Sequence, residues 1–89
     1  WLEGLGFCGD GEGAQFIDDE GPAKYNVNLS GGMLAGNPVM TGGLYRAAEA
    51  VLQLKGEAGE HQAADVNCAV AQSTTGGAGQ FHTVLVLEK

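Results

Sequence analysis

The clearest periodic pattern in the chain is an apolar stripe at helical spacing near its middle. Apolar side chains recur at i, i+3, i+4, i+7 and i+8, namely at Leu44, Ala47, Ala48, Val51 and Leu52. This spacing places them on one face of an α-helix. Thr41 is of a type that favours the N-cap of a helix, and Gly56 is of the type that most often ends one. The pattern therefore predicts a helix between these two residues.

Two apolar segments near the C-terminus, residues 66–72 and 82–88, predict β-strands. They are apolar over most of their length, which is typical of strands that are covered on both faces. The connection at 73–81 is short, so we expect the two strands to be antiparallel neighbours. Weaker patterns predict two further strands, at 14–17 and at 25–29. Because one good helix cannot cover both faces of a sheet, we expect a second layer from an oligomer partner or from the remainder of a longer chain.

Composition and charge exclude several classes of function. The 89 residues are enough for one small domain, with a formal net charge of -7 and only 4 Lys and Arg. This balance argues against nucleic acid and against an anionic membrane surface as partners. No stretch approaches the roughly 18 apolar residues of a membrane span. Cys8 and Cys68 are too few for a disulfide scaffold, and we expect reduced thiols in a cytoplasmic protein.

Three motifs have the residue types of a ligand site but the wrong context. Residues 9–14 match the spacing G-x-G-x-x-G/A of a dinucleotide loop, yet no strand precedes them and Asp10 and Glu12 would repel a pyrophosphate. The acidic run 18–20 lacks the ligand spacing of a calcium loop. The two histidines, His61 and His82, lie far apart without Cys or acidic residues at metal-ligand spacing. We therefore expect no metal site. We interpret residues 9–14 and 18–20 as structural turns, His61 as a surface loop residue and His82 as the start of a strand.

A glycine-rich segment, residues 28–43, is a stronger candidate for a binding site than these three motifs. Glycines allow the backbone to approach a ligand closely, and the N-terminus of the predicted helix offers free N–H groups. A second glycine-rich turn, 76–79, follows a predicted strand. Two such loops at the ends of buried elements are expected to form the wall of a cleft. The alternative is a glycine-rich bend that only packs beneath other loops.

These residues also carry a family resemblance, which extends over essentially all of the chain. Residues 28–43 resemble the thiolase signature N-x-x-G-G-x-x-x-x-G-H-P-x-G-x-(S/T)-G. Residues 5–13 resemble the segment that ends a helix in the lipid-transfer-protein-like branch, the sterol-carrier-protein type of thiolase. Residues 48–60 resemble the following helix and its exit, and residues 72–79 stand where the family carries its last catalytic loop. The resemblance implies an α/β fold, the C-terminal portion of a thiolase-like fold, with a helix packed on a mixed sheet.

The resemblance also implies a reaction and a set of site residues. Thiolases make or break a carbon–carbon bond beside a coenzyme A thioester, with no tightly bound cofactor. A Cys in the N-terminal half is the nucleophile, the His of G-H-P activates it, and a Cys or His in the last loop handles the α-proton. Here the G-H-P position is Asn37 and the last-loop position is Ser73, so both catalytic positions are substituted. The substrate-binding positions are Gly36, Pro38, Gly76 and Gly77.

The substitutions leave more than one function open. Asn cannot accept a proton near neutral pH, but it can donate a hydrogen bond to a thioester oxygen. The first hypothesis is the C-terminal segment of an acyl-CoA acyltransferase or lipid-transfer-like protein of lipid metabolism, inactive by itself. The second is a non-catalytic chain that pairs with itself or with a partner. The third is part of a retro-aldolase acting on coenzyme A thioesters, in which Tyr45 or Ser73 takes part. The chain begins at Trp1, and we expect residues 1–89 to be the C-terminal domain of a longer chain.

Overall fold

The computed structural model describes residues 1–37 and 40–89. Four α-helices, one 3-10 turn and a two-stranded sheet follow one another along these residues. In chain order they are α1 (Gly13–Asp18), α2 (Gly21–Lys24), α3 (Gly32–Ala35), α4 (Gly42–Lys55), the 3-10 turn Gly59–His61, β1 (Cys68–Thr75) and β2 (Phe81–Glu88). In the described part of the chain, no helix is both long and apolar enough to cross a membrane.

Helix α4 confirms the strongest prediction from the sequence, including its two ends. Thr41 stands at the N-cap, and Gly56 ends the helix in the left-handed conformation with φ at 74°. The amide of Glu57 then donates to the carbonyl of Leu52 at 2.9 Å, which closes the C-terminal turn.

The apolar stripe of α4 does not form the buried face of the helix. The buried side chains of α4 are Ala50, Gln53 and Leu54, whereas Leu44 is 73% exposed and Val51 is 45% exposed. The buried face therefore combines a small residue, a polar residue and a large apolar residue, none of which belongs to the predicted stripe. The larger side chains of the stripe remain accessible on the other side of the helix.

The hairpin of β1 and β2 confirms the predicted antiparallel pair. Its register pairs Cys68 with Glu88 at one end and Thr75 with Phe81 at the other. Both strands thus extend further toward the connecting turn, now 76–80, than the apolar pattern indicated. Helix α4 packs on this sheet, so the α/β class with a helix on a sheet is confirmed. The sheet of the described residues is a single antiparallel pair, without the parallel strand that a mixed sheet contains.

The cover that we expected on both faces of the sheet is incomplete. Ala71 is buried at 5% exposure, whereas Val70 and Val84 are each 42% exposed and Val86 is 63% exposed. An exposed apolar sheet face of this kind needs a further layer to bury it.

The two weaker strand predictions, at 14–17 and 25–29, are wrong. Residues 14–17 lie inside helix α1, and residues 25–29 form turns. Asn26 and Asn28 have φ angles of 54° and 57°. This left-handed conformation, which asparagine tolerates better than most residues, cannot continue a strand. The alternation of apolar and polar residues at 25–29 therefore belongs to turns and does not indicate a strand.

Three aromatic rings form a cluster in the N-terminal part, around the buried ring of Phe16. The ring of Tyr25 stacks on that of Phe16 with centroids 5.8 Å apart and meets the edge of Phe7 at 5.2 Å. Phe16, on α1, is buried at 8% exposure. Gly21 packs directly against Phe16. A methyl group built on Gly21 would lie 2.6 Å from both the ring and the carbonyl oxygen of Phe16. The turn between α1 and α2 thus depends on a glycine at this position.

Candidate functional site

The first turns of α4 lie directly against β1 near Ser73. A methyl group built on Gly43 would lie 2.6 Å from Ser73 Oγ, closer than real contacts allow. Ser73 shares a face of β1 with the buried Ala71, since side chains two residues apart in a strand point to the same side. The absence of a side chain at Gly43 is therefore what lets the start of the helix approach the Ser73 hydroxyl.

The segment that precedes Asn37 lies against the same end of α4. A methyl group on Gly36 would lie 3.9 Å from Tyr45 Oη, and one on Gly42 would lie 3.2 Å from Met33 Sδ. Asn37 itself is exposed. Pro38, which the sequence also placed in the substrate site, lies outside the described residues.

Arg46 joins the two segments. Its Nη1 donates to the carbonyl oxygen of Gln72 at 2.7 Å, and its Nη2 lies 3.6 Å from Met33 Sδ. Gln72 directly precedes Ser73, and Met33 lies in the short helix α3 that leads to Asn37. The sequence interpretation gave Arg46 no role. The signal that could have found it is its position: it is the only arginine in the chain and stands one turn into the capped helix.

The second glycine-rich turn forms the far end of the hairpin. Gly76 has a φ of 96° and accepts a hydrogen bond from the amide of Gly79 at 3.1 Å. Gly77 has open space around its α-carbon. The assignment of Gly76 and Gly77 to substrate binding stays a prediction, as does that of Gly36, Asn37 and Ser73.

His82 lies near Ser73 in the hairpin but on the other face of the sheet. It pairs with Thr74 across the hairpin, and its Nδ1 is 3.2 Å from Thr74 Oγ1. The ring of Trp1 contacts the His82 ring with centroids 4.5 Å apart. Because successive side chains of a strand alternate between faces, His82 points away from the α4 side that holds Ser73. It is therefore not placed to act as a base for that hydroxyl.

The other histidine takes part in a polar cluster at the far end of α4. His61 Nε2 lies 3.0 Å from Glu49 Oε1. Gln53, buried at 8% exposure, donates to both Glu49 Oε1 and the carbonyl of His61 at 2.9 Å. Within residues 1–37 and 40–89, no three His, Cys, Asp or Glu side chains are grouped so as to hold a metal ion.

The loop with dinucleotide-like spacing is occupied by the protein's own carboxylates. Gly9 N donates to Glu12 Oε2 at 2.9 Å, and Gly13 N donates to Glu3 Oε1 at 2.8 Å. Backbone hydrogen bonds from Gly11 and Gly13 lower the pKa of Glu3. These amides are the groups that a phosphate would need, so the loop is a structural turn rather than a nucleotide site.

Two cavities lie beside the N-terminal part of the molecule. One, of about 400 Å³, has the rings of Phe7, Phe16 and Tyr25 in its wall. The other, of about 580 Å³, lies between the segment that begins at Trp1, helix α4 and the edge of β1. Neither Asn37 nor Ser73 lines either of these two cavities.

Comparison with known proteins identifies the family. The family described as thiolase C-terminal domain-like matches residues 1–89. Sterol carrier protein 2 of Homo sapiens is 41% identical over 67% of this chain, which is 12% of its own length. An acetyl-CoA acetyltransferase of Methanothermobacter thermautotrophicus is 38% identical over 91% of this chain, which is 23% of its own length. No solved structure shows a significant match.

The chain thus spans between 12% and 23% of the length of these two relatives. The family match covers the whole sequence and confirms the resemblance that the glycine-rich signature carries. The chain therefore belongs to the thiolase family, as a thiolase C-terminal domain-like sequence.

Proposed function

We propose that this chain is the C-terminal segment of an acyltransferase or lipid-transfer-like protein that acts on acyl-CoA thioesters. The observation that carries the proposal is the junction at the start of α4, where Arg46 connects the segment before Asn37 to the end of β1 at Ser73. These are the two places where the family resemblance puts catalytic residues. The relative that is an acetyl-CoA acetyltransferase supports the same class of substrate, and sterol carrier protein 2 supports the lipid-transfer alternative.

In this proposal Asn37 binds the substrate rather than activating a nucleophile. Its side-chain amide donates a hydrogen bond to the thioester carbonyl oxygen, where negative charge develops during the reaction. It has no basic site that could take a proton at neutral pH. Ser73 offers a hydroxyl on the other side of the junction, and Gly36, Pro38, Gly76 and Gly77 are the substrate-binding residues of this proposal. The substrate is a coenzyme A thioester, no cofactor is held tightly, and the remaining site residues come from the rest of a thiolase chain or from a partner subunit.

The test uses the full-length protein that carries these residues and measures acetyl-CoA binding and thiolysis. Asn37→Asp is expected to abolish saturable binding, because a carboxylate would repel the thioester oxygen. Asn37→His is expected to raise the thiolysis rate by roughly 10²-fold, the lower range of general-base catalysis. Asn26→Asp is the matched control, since Asn26 is exposed in a turn and aspartate also tolerates its φ of 54°. An unchanged rate in Asn37→His together with unchanged binding in Asn37→Asp would refute the assignment.

A retro-aldol reaction on a coenzyme A thioester is the second candidate, favoured by the place of Tyr45. Its hydroxyl lies beside Gly36, the residue that precedes Asn37. A phenol at this point can exchange a proton with a substrate hydroxyl. Tyr45→Phe would then abolish aldol cleavage and leave thioester binding intact, whereas Tyr25→Phe, in the aromatic core, would leave both unchanged.

A non-catalytic interaction chain is the third candidate, favoured by the exposed sheet face. On this face Val84 is 42% exposed and Val86 is 63% exposed. Dimerisation that depends on protein concentration, without saturable binding of acetyl-CoA, would select this candidate over the two enzymatic ones.

A further inference from the structure

We infer that Arg46 is a positioning residue that sets the separation between the Asn37 segment and Ser73. This inference rests on the proposed function, since it concerns the two residues that the proposed reaction uses. Arg46 is half-buried on α4 and contacts one group on each side of the junction, the Gln72 carbonyl at 2.7 Å and Met33 Sδ at 3.6 Å. It contacts Gln72, which precedes Ser73, and Met33, which lies four residues before Asn37, so its action on substrate is indirect.

The Gln72 carbonyl is available to Arg46 because of the register of the hairpin. In an antiparallel pair, residues alternate between those that exchange hydrogen bonds with the partner strand and those whose N–H and C=O point away from it. Lys89 N donates to the carbonyl of Asn67 at 3.0 Å, so the pair 67/89 is a hydrogen-bonded one. Gln72 lies five positions further on and has the opposite phase, so its carbonyl points to the open edge of β1. The guanidinium satisfies this edge carbonyl.

The strength of the two contacts differs. A hydrogen bond from a charged guanidinium to a carbonyl is stronger than one between neutral groups, and the short distance at Gln72 fits that description. A thioether sulfur is a weak acceptor, so the contact at Met33 mainly orients the guanidinium. The β1 side of the junction is therefore held firmly and the Met33 side is held more loosely.

Arginine is suited to this position in a way that lysine is not. The planar guanidinium directs several N–H groups from one rigid fork, so it can reach two acceptors in separate segments. An ammonium group on a flexible stem would satisfy the Gln72 carbonyl alone. We therefore expect Arg46→Lys to lose part of the effect and Arg46→Met, which keeps an apolar stem but no donor, to lose all of it.

The first measurement is the split between kcat and KM for thiolysis in the full-length protein. Misplacing reacting groups by about an ångström lowers rates by up to roughly 10²-fold. Arg46→Met is expected to lower kcat by roughly 10- to 100-fold with little change in KM, because substrate contacts remain but are misaligned. Lys55→Met is the matched control. It removes a positive charge from the other end of the same helix, where Lys55 forms an exposed pair with Glu57 at 2.7 Å, and kcat is expected to stay at the wild-type value.

Two further readouts separate positioning from general destabilisation. The backbone amide resonances of Gly36 and Ser73 are expected to shift together in Arg46→Met and to stay in place in Lys55→Met. Added ethylguanidinium is expected to restore part of the kcat of Arg46→Ala, which a loss of folding would not allow.

Each outcome decides the inference. If Arg46→Met keeps the wild-type kcat, or if neither resonance moves, the inference is overturned. If kcat falls equally in Arg46→Met and in Lys55→Met, and ethylguanidinium restores none of the kcat of Arg46→Ala, the effect is structural and the inference is also overturned. If the wild-type protein neither binds nor turns over the thioester, the proposed function fails. The amide resonances of Gly36 and Ser73 then decide whether Arg46 still couples the two segments. If these resonances do not move in Arg46→Met, the positioning role of Arg46 is overturned as well.

Discussion

Residues 1–37, here called the N-terminal region, and residues 42–89, the C-terminal region, are stabilised in different ways. The C-terminal region contains a 14-residue helix and two 8-residue strands that pack on each other. The helices of the N-terminal region have 6, 4 and 4 residues, too short to be stable alone. The N-terminal region therefore depends on a few specific contacts, whereas the C-terminal region depends on regular backbone pairing.

The polar contacts show the same difference. In the C-terminal region, Gln53 is buried and fully bonded: it also accepts from Ala63 N at 2.9 Å and from Gln62 Nε2 at 3.1 Å. These bonds attach the loop that follows α4 to the helix. In the N-terminal region, carboxylates of Glu3 and Glu12 accept hydrogen bonds from the backbone amides of one loop, at Gly13 and Gly9 respectively. At the junction at the start of α4, strand β1, which is held by regular backbone pairing, therefore meets the segment before Asn37, which is held by few contacts.

The largest expected effect is in the aromatic core of the N-terminal region. Phe16→Ala removes the buried ring on which Tyr25 stacks, and the loss of free energy of unfolding is expected to be about 3 kcal/mol. Hydrogen exchange should then accelerate in residues 1–37 and remain slow in β1 and β2. Phe81→Ala is the control, because Phe81 is 68% exposed. Equal acceleration in both regions would show that they unfold as one unit and would contradict the separate stabilisation of the two regions.

A smaller effect is expected from the polar cluster of the C-terminal region. Gln53→Leu leaves the His61 carbonyl and the Ala63 amide without their partner, which costs about 2 kcal/mol in free energy of unfolding. Chemical denaturation of the purified protein measures this loss. Gln15→Leu, on the exposed side of α1, is the control and should change the free energy little. A loss in Gln53→Leu no greater than in this control would contradict the role of the cluster.

The smallest expected effect is on the reactivity of Cys8. Burial, and then the charges of Glu3 and Glu12, raise the pKa of the Cys8 thiol. A raised pKa lowers the fraction of reactive thiolate at any pH below it, so alkylation of Cys8 should begin at a higher pH than that of a free thiol. In single-cysteine variants, iodoacetamide should therefore react more slowly with Cys8 than with the exposed Cys68.

Glu12→Gln should accelerate the reaction at Cys8, because it removes one of the two negative charges that raise the pKa. Asp10→Asn, which removes a charge from the same turn, serves as the control and should leave the rate unchanged. If both variants react at the wild-type rate, the carboxylates of this loop do not influence the thiol, and the charge contribution is refuted.

The sequence predicted long elements well and short ones poorly. Helix α4 and the hairpin have repeated apolar patterns and clear ends, so local pattern and final structure agree. At 14–17 and 25–29 the alternation covered only a few residues. Such short runs are decided by neighbouring turns, and the left-handed asparagines at 26 and 28 prevented a strand.

The candidate site was predicted only as residue types in order along the chain. The family resemblance implied Asn37 through the glycine signature and Ser73 through the place of the last catalytic loop. The approach of Gly43 to Ser73 and the link through Arg46 could not be read from the sequence, since they join residues that lie 30 and 26 positions apart. Contacts of this separation depend on how the elements pack.

The sequence by itself determined the helix with its two ends and the antiparallel pair of strands, because these follow from local spacing and glycine placement, and it carried the resemblance to the family that the comparison confirmed. The tertiary structure alone decided which face of α4 is buried. The apolar stripe predicted one face, yet the helix buries Ala50, Gln53 and Leu54 instead, because packing against the sheet and a satisfied polar cluster around Gln53 decide which side is covered. It also decided that Arg46 connects the two halves of the candidate site. A guanidinium on a helix acquires its partners only when two distant segments fold against it.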